Sequence, residues 1–308
     1  GELATEAGLP AGALNIVTGG PPGSDTGIYF GQHAGFDKLS FTGSGPTGIK
    51  LLHASADLLR PTGLELGGKG ALVVCEDADL DAVTDWVMVG IFLCTGQVCS
   101  ATSRLIVHRS VRDQVVERLV AKSHECLRVG DPMDANVNMG PAASADQRDK
   151  VMAAITVAEQ QCGPSLLDAS AFKPTAGDLE GGFFVPPAIF DAPVDSELWR
   201  EEVFGPVLAV ATFETDEEAI AMANDSPYGL AHGVMTSSES RGRKYTRGLK
   251  SGVVWENCSQ PLYPDTPFGG AKQSGFGREY GAMGLEEYVL HKTSIRAKSG
   301  HSWGWYVN

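Results

Sequence analysis

Long apolar runs and basic runs are both missing from this chain of 308 residues. Its longest apolar stretch, WVMVGIFLC at residues 86–94, contains a glycine and is far shorter than the roughly 18 residues that a membrane-spanning helix needs. The formal net charge is −14, from 24 Lys and Arg against 38 Asp and Glu. A protein that binds phosphates or an anionic membrane surface carries a basic face, so the composition argues against nucleic-acid and membrane partners.

Paired cysteines and clustered histidines are also lacking. The six cysteines are irregularly spaced and form no CxxC pair, which favours reduced thiols in an intracellular protein over a disulfide framework. The seven histidines form no HExxH motif and no i, i+4 pair, so no metal site is predicted. The opening residues, GELATEAGLP, look like the middle of a helix without a signal peptide before it, so we expect the chain to be a fragment of a longer protein.

Glycine, by contrast, is abundant, with 38 residues that cluster where apolar, strand-like runs end. Such runs occupy residues 71–75, 104–107 and 207–213. Helical patterns occupy residues 79–92, 111–129, 144–161 and 216–224, the first of them beginning with an Asp cap. The alternation predicts an α/β fold in which crossover helices join parallel strands.

Two further segments carry structural expectations. Residues 163–187 are rich in Gly, Pro and small residues and are predicted to form a surface loop. Residues 288–298, YVLHKTSIRAK, alternate like a strand. Such a strand can be an edge strand of its own sheet or can pair with another subunit.

Cys99 lies in the motif TGQVCSATSR, at a junction between a predicted helix and a predicted strand. A cysteine at such a junction can present its sulfur to a cleft with backbone N–H groups nearby, which an attacking thiolate needs. Its position alone does not distinguish a nucleophile from an inert core cysteine. For Cys75, Cys94, Cys126 and Cys162, which lie in apolar or helical patterns, core packing is the preferred interpretation.

Glu65 lies in GLELGGKG, after an apolar residue and just before paired glycines. Apolar surroundings would disfavour its charged form and raise its pKa toward neutral pH, as suits a general base. The residues taken alone favour a different interpretation, an ion pair between Glu65 and Lys69.

The segment FTGSGPTGIK, residues 41–50, places Gly43 and Ser44 between a predicted strand and a predicted helix. Small residues and free N–H groups at a helix N-terminus suit a pyrophosphate. The segment is not a GxGxxG motif, and a plain connection is the commoner explanation of such a turn. The pair Glu201 and Glu202, taken alone, indicates solvent-exposed charge.

Taken in order, the motifs FTGSGPTG, LELGGKGALVV, GQVCSATSR, EEVFGPVL, NDSPYGLAHGV and PFGGAKQSGFGRE closely resemble the aldehyde dehydrogenase superfamily over essentially the whole chain. The segments VVWENCSQP and SWGWY are most similar to the betaine aldehyde and aminoaldehyde dehydrogenase branch. The resemblance implies the C-terminal part of a Rossmann-like cofactor domain (residues 1–66), an α/β catalytic domain (67–275) and a C-terminal oligomerisation tail (276–308). It also implies a homodimer or homotetramer.

The resemblance further implies a reaction, the NAD(P)-dependent oxidation of an aldehyde to a carboxylic acid. Cys99, in the GQxC motif, would add to the aldehyde carbonyl, and its backbone N–H would contribute to the oxyanion hole. Glu65, in the ELGGK motif, would activate the water that hydrolyses the resulting thioester.

The same resemblance implies how the cofactor is held. Gly43 and Ser44 would meet its pyrophosphate, and Glu202 and Phe204 would hold the nicotinamide ribose and ring. The expected cofactor is NAD, with NADP as the alternative.

The substrate pocket departs from the betaine aldehyde pattern. Leu93 and Phe268 stand where that branch has tryptophans of an aromatic box, in which cation–π attraction would hold a quaternary ammonium group. Thr95 stands where the family usually has asparagine. Leu93, Val253, Cys258 and Phe268 are the candidate pocket residues, and such an entrance suits betaine aldehyde, an ω-aminoaldehyde or a less polar aldehyde. The alternatives are a general aliphatic or semialdehyde dehydrogenase and a catalytically silent NAD-binding module.

Overall fold

The computed structural model describes residues 1–19, 25–174, 179, 181–301 and 304. The strands are β1 (Leu39–Thr42), β2 (Thr62–Glu65), β3 (Ala71–Val74), β4 (Arg104–His108), β5 (Ala188–Asp191), β6 (Val207–Phe213), β7 (Tyr228–Gly229), β8 (Ala231–Met235), β9 (Val253–Glu256), β10 (Ala271–Lys272) and β11 (Gly275–Phe276). The α-helices are α1 (Glu2–Glu6), α2 (Thr26–Gln32), α3 (Gly45–Ala56), α4 (Leu80–Phe92), α5 (Arg112–Cys126), α6 (Ala145–Cys162), α7 (Glu197–Arg200), α8 (Asp216–Asn224), α9 (Glu239–Gly248) and α10 (Gly281–Glu286). Short 3₁₀ helices span Leu93–Gly96, Arg109–Val111 and Ala169–Ala171. The SWGWY motif, residues 302–306, lies outside the described residues apart from its glycine.

Six parallel strands form the main sheet, in the order β5-β6-β4-β3-β8-β9. Successive residues of β3 face opposite sides, so that Ala71 and Val73 join one buried cluster while Leu72 and Val74 join the other. Residues of α6 and α8 complete the first cluster, and residues of α4 and α5 complete the second. Helices therefore cover both faces, which is why these strands are mostly apolar. The predicted α/β class with parallel strands is confirmed.

Capping side chains set the helix boundaries. Asp79 accepts hydrogen bonds at the start of α4, and Ser144 does so at the start of α6. The helices predicted at 79–92, 144–161 and 216–224 are confirmed to within a residue at each end. The helix predicted at 111–129 ends earlier, at Cys126, because Leu127 turns to an extended backbone and packs into the cluster beneath α4 and α5.

The segment 163–187 is only partly the surface loop that its composition predicts. Where it is described it holds no strand and no α-helix, but Leu167, Phe172 and Val185 are buried in the two clusters beside the main sheet. The average composition of a Gly- and Pro-rich segment does not reveal which single apolar residues pack into the core.

Residues 288–298 belong to no strand of the described chain. Leu290 is 96% exposed and Ile295 is 87% exposed. A strand needs a neighbour that completes its hydrogen bonds, and this single chain supplies none there. The expectation of an edge strand in the chain's own sheet is therefore wrong, whereas pairing with another subunit stays a prediction.

A smaller sheet joins β1, β2 and β11, with β1 parallel to β2 and β11 antiparallel to it. Its strand β2 continues through a short link, residues 66–70, into β3 of the main sheet. Gly275 in β11 lies opposite Glu65, at a φ of +112° that strains any residue with a side chain. The end of β2 thus lies between the two sheets. The domain boundaries after residues 66 and 275 stay predictions.

In the part of the chain that the structure describes, no helix combines the length and the apolar character needed to cross a membrane.

Candidate active site

The end of β2 carries Glu65 into the interior between the two sheets. Glu65 is 6% exposed, and within the described chain neither carboxylate oxygen has a hydrogen-bond partner of normal geometry. Burial raises the pKa of Glu65 to about 7, and the negative charge of Glu279 adds to this effect. The Gly270 N–H and the Arg278 guanidinium act in the opposite direction and are outweighed. A carboxylate in this state can accept a proton from water near neutral pH.

Lys69 does not pair with Glu65, contrary to the ion pair that the residues alone favour. Its buried Nζ has no hydrogen-bond partner among the described residues. Burial and the nearby Arg104 lower the pKa of Lys69 to about 7, while Glu202 and Glu201 raise it. The charges that act on Lys69 are therefore those of Arg104, Glu202 and Glu201, and Glu65 is not among them.

Three consecutive residues with positive φ turn the chain between α4 and the GQVC motif. The φ angles are 51° at Cys94, 59° at Thr95 and 70° at Gly96. The Thr95 hydroxyl stabilises the turn by donating a hydrogen bond of 2.9 Å to the carbonyl of Gly140. Gly96 packs against the backbone of Gly205 with no room for a Cβ atom. This turn places the GQVC motif directly beside the EEVFGPV motif.

Cys99, which ends the GQVC motif, is half-buried and has no disulfide partner. Burial raises the pKa of its thiol, and the negative charges of Glu65 and Glu202 raise it further. The backbone N–H groups of Ser100 and of Cys99 itself favour the thiolate and oppose this shift. The resting thiol is therefore protonated at neutral pH. Its ionisation is coupled to that of Glu65, because each negative charge disfavours the other.

Glu202 contacts the glycine pair of the link, Gly67 and Gly68. The Gly68 N–H donates a hydrogen bond of 2.9 Å to Glu202 Oε1. Burial raises the pKa of Glu202, while the Gly68 N–H and Lys69 lower it. Phe204 follows at a φ of 55°, and Gln147 Nε2 donates a hydrogen bond of 2.9 Å to its carbonyl.

One cavity of about 490 Å³ brings these side chains together. It is lined by Thr42, Gly43, Ser44, Glu65, Leu66, Gly67, Gln97, Val98, Cys99, Gln147, Glu202 and Phe204. The six residues predicted for catalysis and cofactor binding all lie on its wall, and their roles stay predictions. Gln147 was missed, because its place three residues after the Ser144 cap resembles ordinary helix capping.

Ser44 stands at the N-terminus of α3, on the wall of this cavity. Its side chain caps no N–H of the helix, and its Oγ lies 3.0 Å from Thr47 Oγ1. The first N–H groups of a helix have no partner within the helix and carry its positive dipole end, so this terminus suits an anion.

The predicted substrate-pocket residues do not line this cavity; they are Leu93, Val253, Cys258 and Phe268. Leu93 is exposed at the end of α4, and Cys258 is half-buried. The Trp255 indole is buried and donates a hydrogen bond of 3.1 Å to the Pro261 carbonyl, as a packing residue does. The pocket assignment stays a prediction. Across the described residues, no group of three or more His, Cys, Asp and Glu side chains could hold a metal ion.

The fold and this cavity define an α/β protein with a candidate cysteine nucleophile. A family model described as the aldehyde dehydrogenase family matches residues 1–294, and the chain belongs to that family. The resemblance that the sequence motifs carry is thereby confirmed.

The relatives agree with this assignment. Aminoaldehyde dehydrogenase 1, peroxisomal, from Pisum sativum is 46% identical over 307 residues, covering 99% of this chain and 60% of the relative. Betaine aldehyde dehydrogenase, chloroplastic, from Beta vulgaris is 44% identical over 307 residues, with the same coverage of 99% and 60%. A solved structure of betaine aldehyde dehydrogenase from Staphylococcus aureus in complex with NAD+ is similar at a TM-score of 0.90 and 34% identity, covering all of this chain and 60% of that one. The chain thus spans about 60% of the length of these relatives.

Proposed function

We propose that this chain supplies the nucleophile and the hydrolytic base of an NAD-dependent dehydrogenase that oxidises a cationic aldehyde to its carboxylic acid. One observation carries the proposal. Cys99 and Glu65 share a cavity with a helix N-terminus and with the carboxylate of Glu202. These groups are the ones that covalent aldehyde chemistry beside a dinucleotide needs.

The residues of the cavity fit a nicotinamide dinucleotide. The N-terminus of α3, with Gly43 and Ser44, would hold the pyrophosphate. Glu202, which accepts a hydrogen bond from Gly68, has lone pairs left for ribose hydroxyls, and Phe204 offers an aromatic face. The bound cofactor would supply a hydride acceptor, which amino-acid side chains lack. The relative solved in complex with NAD+ supports NAD over NADP.

Residues of the chain itself carry out the remaining steps, which are the addition to the aldehyde and the hydrolysis of the thioester. The Cys99 thiol first loses its proton to solvent. The thiolate then forms a C–S bond to the carbonyl carbon, and the electron pair of the C=O bond moves to oxygen, where the backbone N–H of Cys99 stabilises it. Once the adduct has been oxidised to the thioester, a water that has lost its proton to Glu65 adds to the same carbon. The C–S bond then breaks, which returns the thiolate and releases the acid.

The relatives' names support an amino- or trimethylammonio-aldehyde as substrate. A net charge of −14 would also attract a cation. A general aliphatic or semialdehyde dehydrogenase is the second candidate, favoured by Leu93 and Phe268, which give the entrance no tryptophan box. The whole protein is proposed to be intracellular, as the relatives named peroxisomal and chloroplastic are, and to be a homodimer or homotetramer.

The test measures NADH production by the whole protein with betaine aldehyde, an ω-aminoaldehyde and a short aliphatic aldehyde. Each rate is compared with that of the Cys99→Ala variant. The proposal predicts a preference for the two cationic aldehydes and no turnover in the variant. Equal use of the aliphatic aldehyde would contradict the substrate class alone. Turnover that persists in Cys99→Ala would contradict the chemistry.

A further inference from the structure

The loop after β9 is hydrogen-bonded to the residue that follows the candidate nucleophile. Ser100 Oγ donates a hydrogen bond of 2.7 Å to Gln260 Oε1. Gln260 Nε2 donates one of 3.0 Å back to the carbonyl of Ser100. A single amide side chain therefore engages both the hydroxyl and the carbonyl of Ser100, which fixes the orientation of Ser100 about its Cα atom and with it the position of its backbone nitrogen.

Buried hydroxyls support this pair of contacts. Ser259 Oγ lies 3.2 Å from Gln260 Nε2 and 3.2 Å from Thr102 Oγ1. Ser100, Thr102 and Ser259 are all buried. A buried polar atom that loses its hydrogen-bond partner costs free energy, because no water replaces the partner. The hydrogen-bond network therefore has one well-defined arrangement.

The backbone of Gln260 is strained. Its φ of 75° lies in the left-handed region, which favours glycine. Strained residues persist where their surroundings hold them, and they are frequent at functional sites. Asn257, in the same loop, has a φ of 56°, but its side chain accepts a hydrogen bond of 2.9 Å from the Thr236 N–H instead. Asn257 is therefore a natural control with similar strain and no contact to the nucleophile segment.

We propose that Gln260 is a positioning residue that holds Ser100 in the orientation in which its backbone N–H faces the sulfur of Cys99. The identity of Cys99 as the nucleophile rests on the proposed function. Burial raises the pKa of the Cys99 thiol, and the Ser100 N–H is one of the groups that favour the thiolate against that burial. A Ser100 that is free to change its orientation would favour the thiolate less, and Cys99 would react more slowly.

The experiment measures alkylation of Cys99 by iodoacetamide across pH, with each cysteine peptide quantified by mass spectrometry and the half-buried Cys126, at the end of α5, as the internal reference. Gln260→Gly removes the side chain while suiting the left-handed backbone, so that relief of backbone strain offsets part of the free energy lost with the hydrogen bonds to Ser100. Alkylation of Cys99 near neutral pH should fall about tenfold, as when the pKa of a mostly protonated thiol rises by one. The thermal midpoint should stay well above the temperature of the alkylation experiment, which shows that the variant is folded. Asn257→Gly should leave the alkylation profile unchanged.

Ser100→Ala removes one of the two hydrogen bonds and should cause a smaller loss. The double variant Ser100→Ala with Gln260→Gly should react no more slowly than Gln260→Gly alone, because both changes remove the same contact between Ser100 and Gln260. A wild-type profile in Gln260→Gly, an equal loss in Asn257→Gly, or additive losses in the double variant would each overturn the proposal. Alkylation needs neither aldehyde nor cofactor, so a failure of the proposed function would appear separately, as absent NADH production.

Discussion

At the scale of single residues, the surroundings of Glu65 decide when it carries charge. The side chain is buried without a good hydrogen-bond partner, and its pKa is raised from 4.5 to about 7. In the unfolded chain the carboxylate is solvated and ionises at the lower pH. The folded state therefore binds the proton more tightly, so that Glu65 stabilises the fold below about pH 4.5 and this stabilisation is lost as pH rises through about 7. The proposed base function needs the opposite, ionised state.

Glu65→Gln should remove this pH dependence, because glutamine does not titrate. Relative to wild type, the variant should become more stable as pH rises from about 5 to about 8, by about 2–3 kcal/mol in the free energy of unfolding. Urea unfolding at several pH values measures the difference. A difference between the two proteins that does not change with pH would show that Glu65 is not perturbed by burial.

At the scale of elements, the link between β2 and β3 joins the two sheets and contributes Leu66 and Gly67 to the wall of the cavity. Its glycines are packed too tightly for side chains. A Cβ on Gly68 would collide with the backbone carbonyl of Cys99 and lie 3.3 Å from Leu230 Cβ. The fully buried Arg104 fixes the end of the link by donating a hydrogen bond of 3.0 Å to the carbonyl of Lys69.

Gly68→Ala should therefore destabilise the protein by about 2–3 kcal/mol, since backbone atoms cannot move aside as a flexible side chain can. Gly63→Ala is the matched control in the preceding strand, because a Cβ there lies 3.8 Å from Ser40 Oγ, which is ordinary contact. Thermal unfolding of both variants measures the effect. Equal and small shifts in their midpoints would contradict the packing described for the link.

The elements also show which parts of the fold and of the site can be predicted from the sequence alone. Apolar runs and capping residues predict β3, β4, β6 and the main helices, because those signals lie within each segment. The six cavity residues follow from motifs that resemble a family. The charges that act on Lys69 come from Arg104 and Glu202, and no local pattern links residues so far apart in sequence. The two-residue strand β11 likewise exists only through its pairing with β2.

At the scale of the whole molecule, the exposed segment 288–298 is where association should occur. Its side chains at Leu290 and Ile295 face solvent in the single chain, and its backbone belongs to no sheet of the described residues. Pairing with a second copy would bury the apolar side chains and complete the hydrogen bonds of the strand.

Leu290→Asp should weaken this proposed association, because a carboxylate would be buried without a partner. Sedimentation velocity should show a dimer or tetramer for wild type and a shift toward monomer for the variant. Met133→Asp, at a residue that is 90% exposed and outside the segment, is the control and should keep the wild-type mass. An unchanged mass in Leu290→Asp would place the interface elsewhere.

The central claim is that Cys99 carries the acyl group and that Glu65 is needed to release it. It is tested most directly by incubating Glu65→Gln with NAD and aldehyde, quenching in acid, and measuring the mass of the Cys99 peptide. The account predicts that an acyl adduct accumulates on Cys99 in Glu65→Gln, is scarce in wild type and is absent in Cys99→Ala. NADH production by Glu65→Gln at the wild-type rate, with no adduct on Cys99, would contradict it.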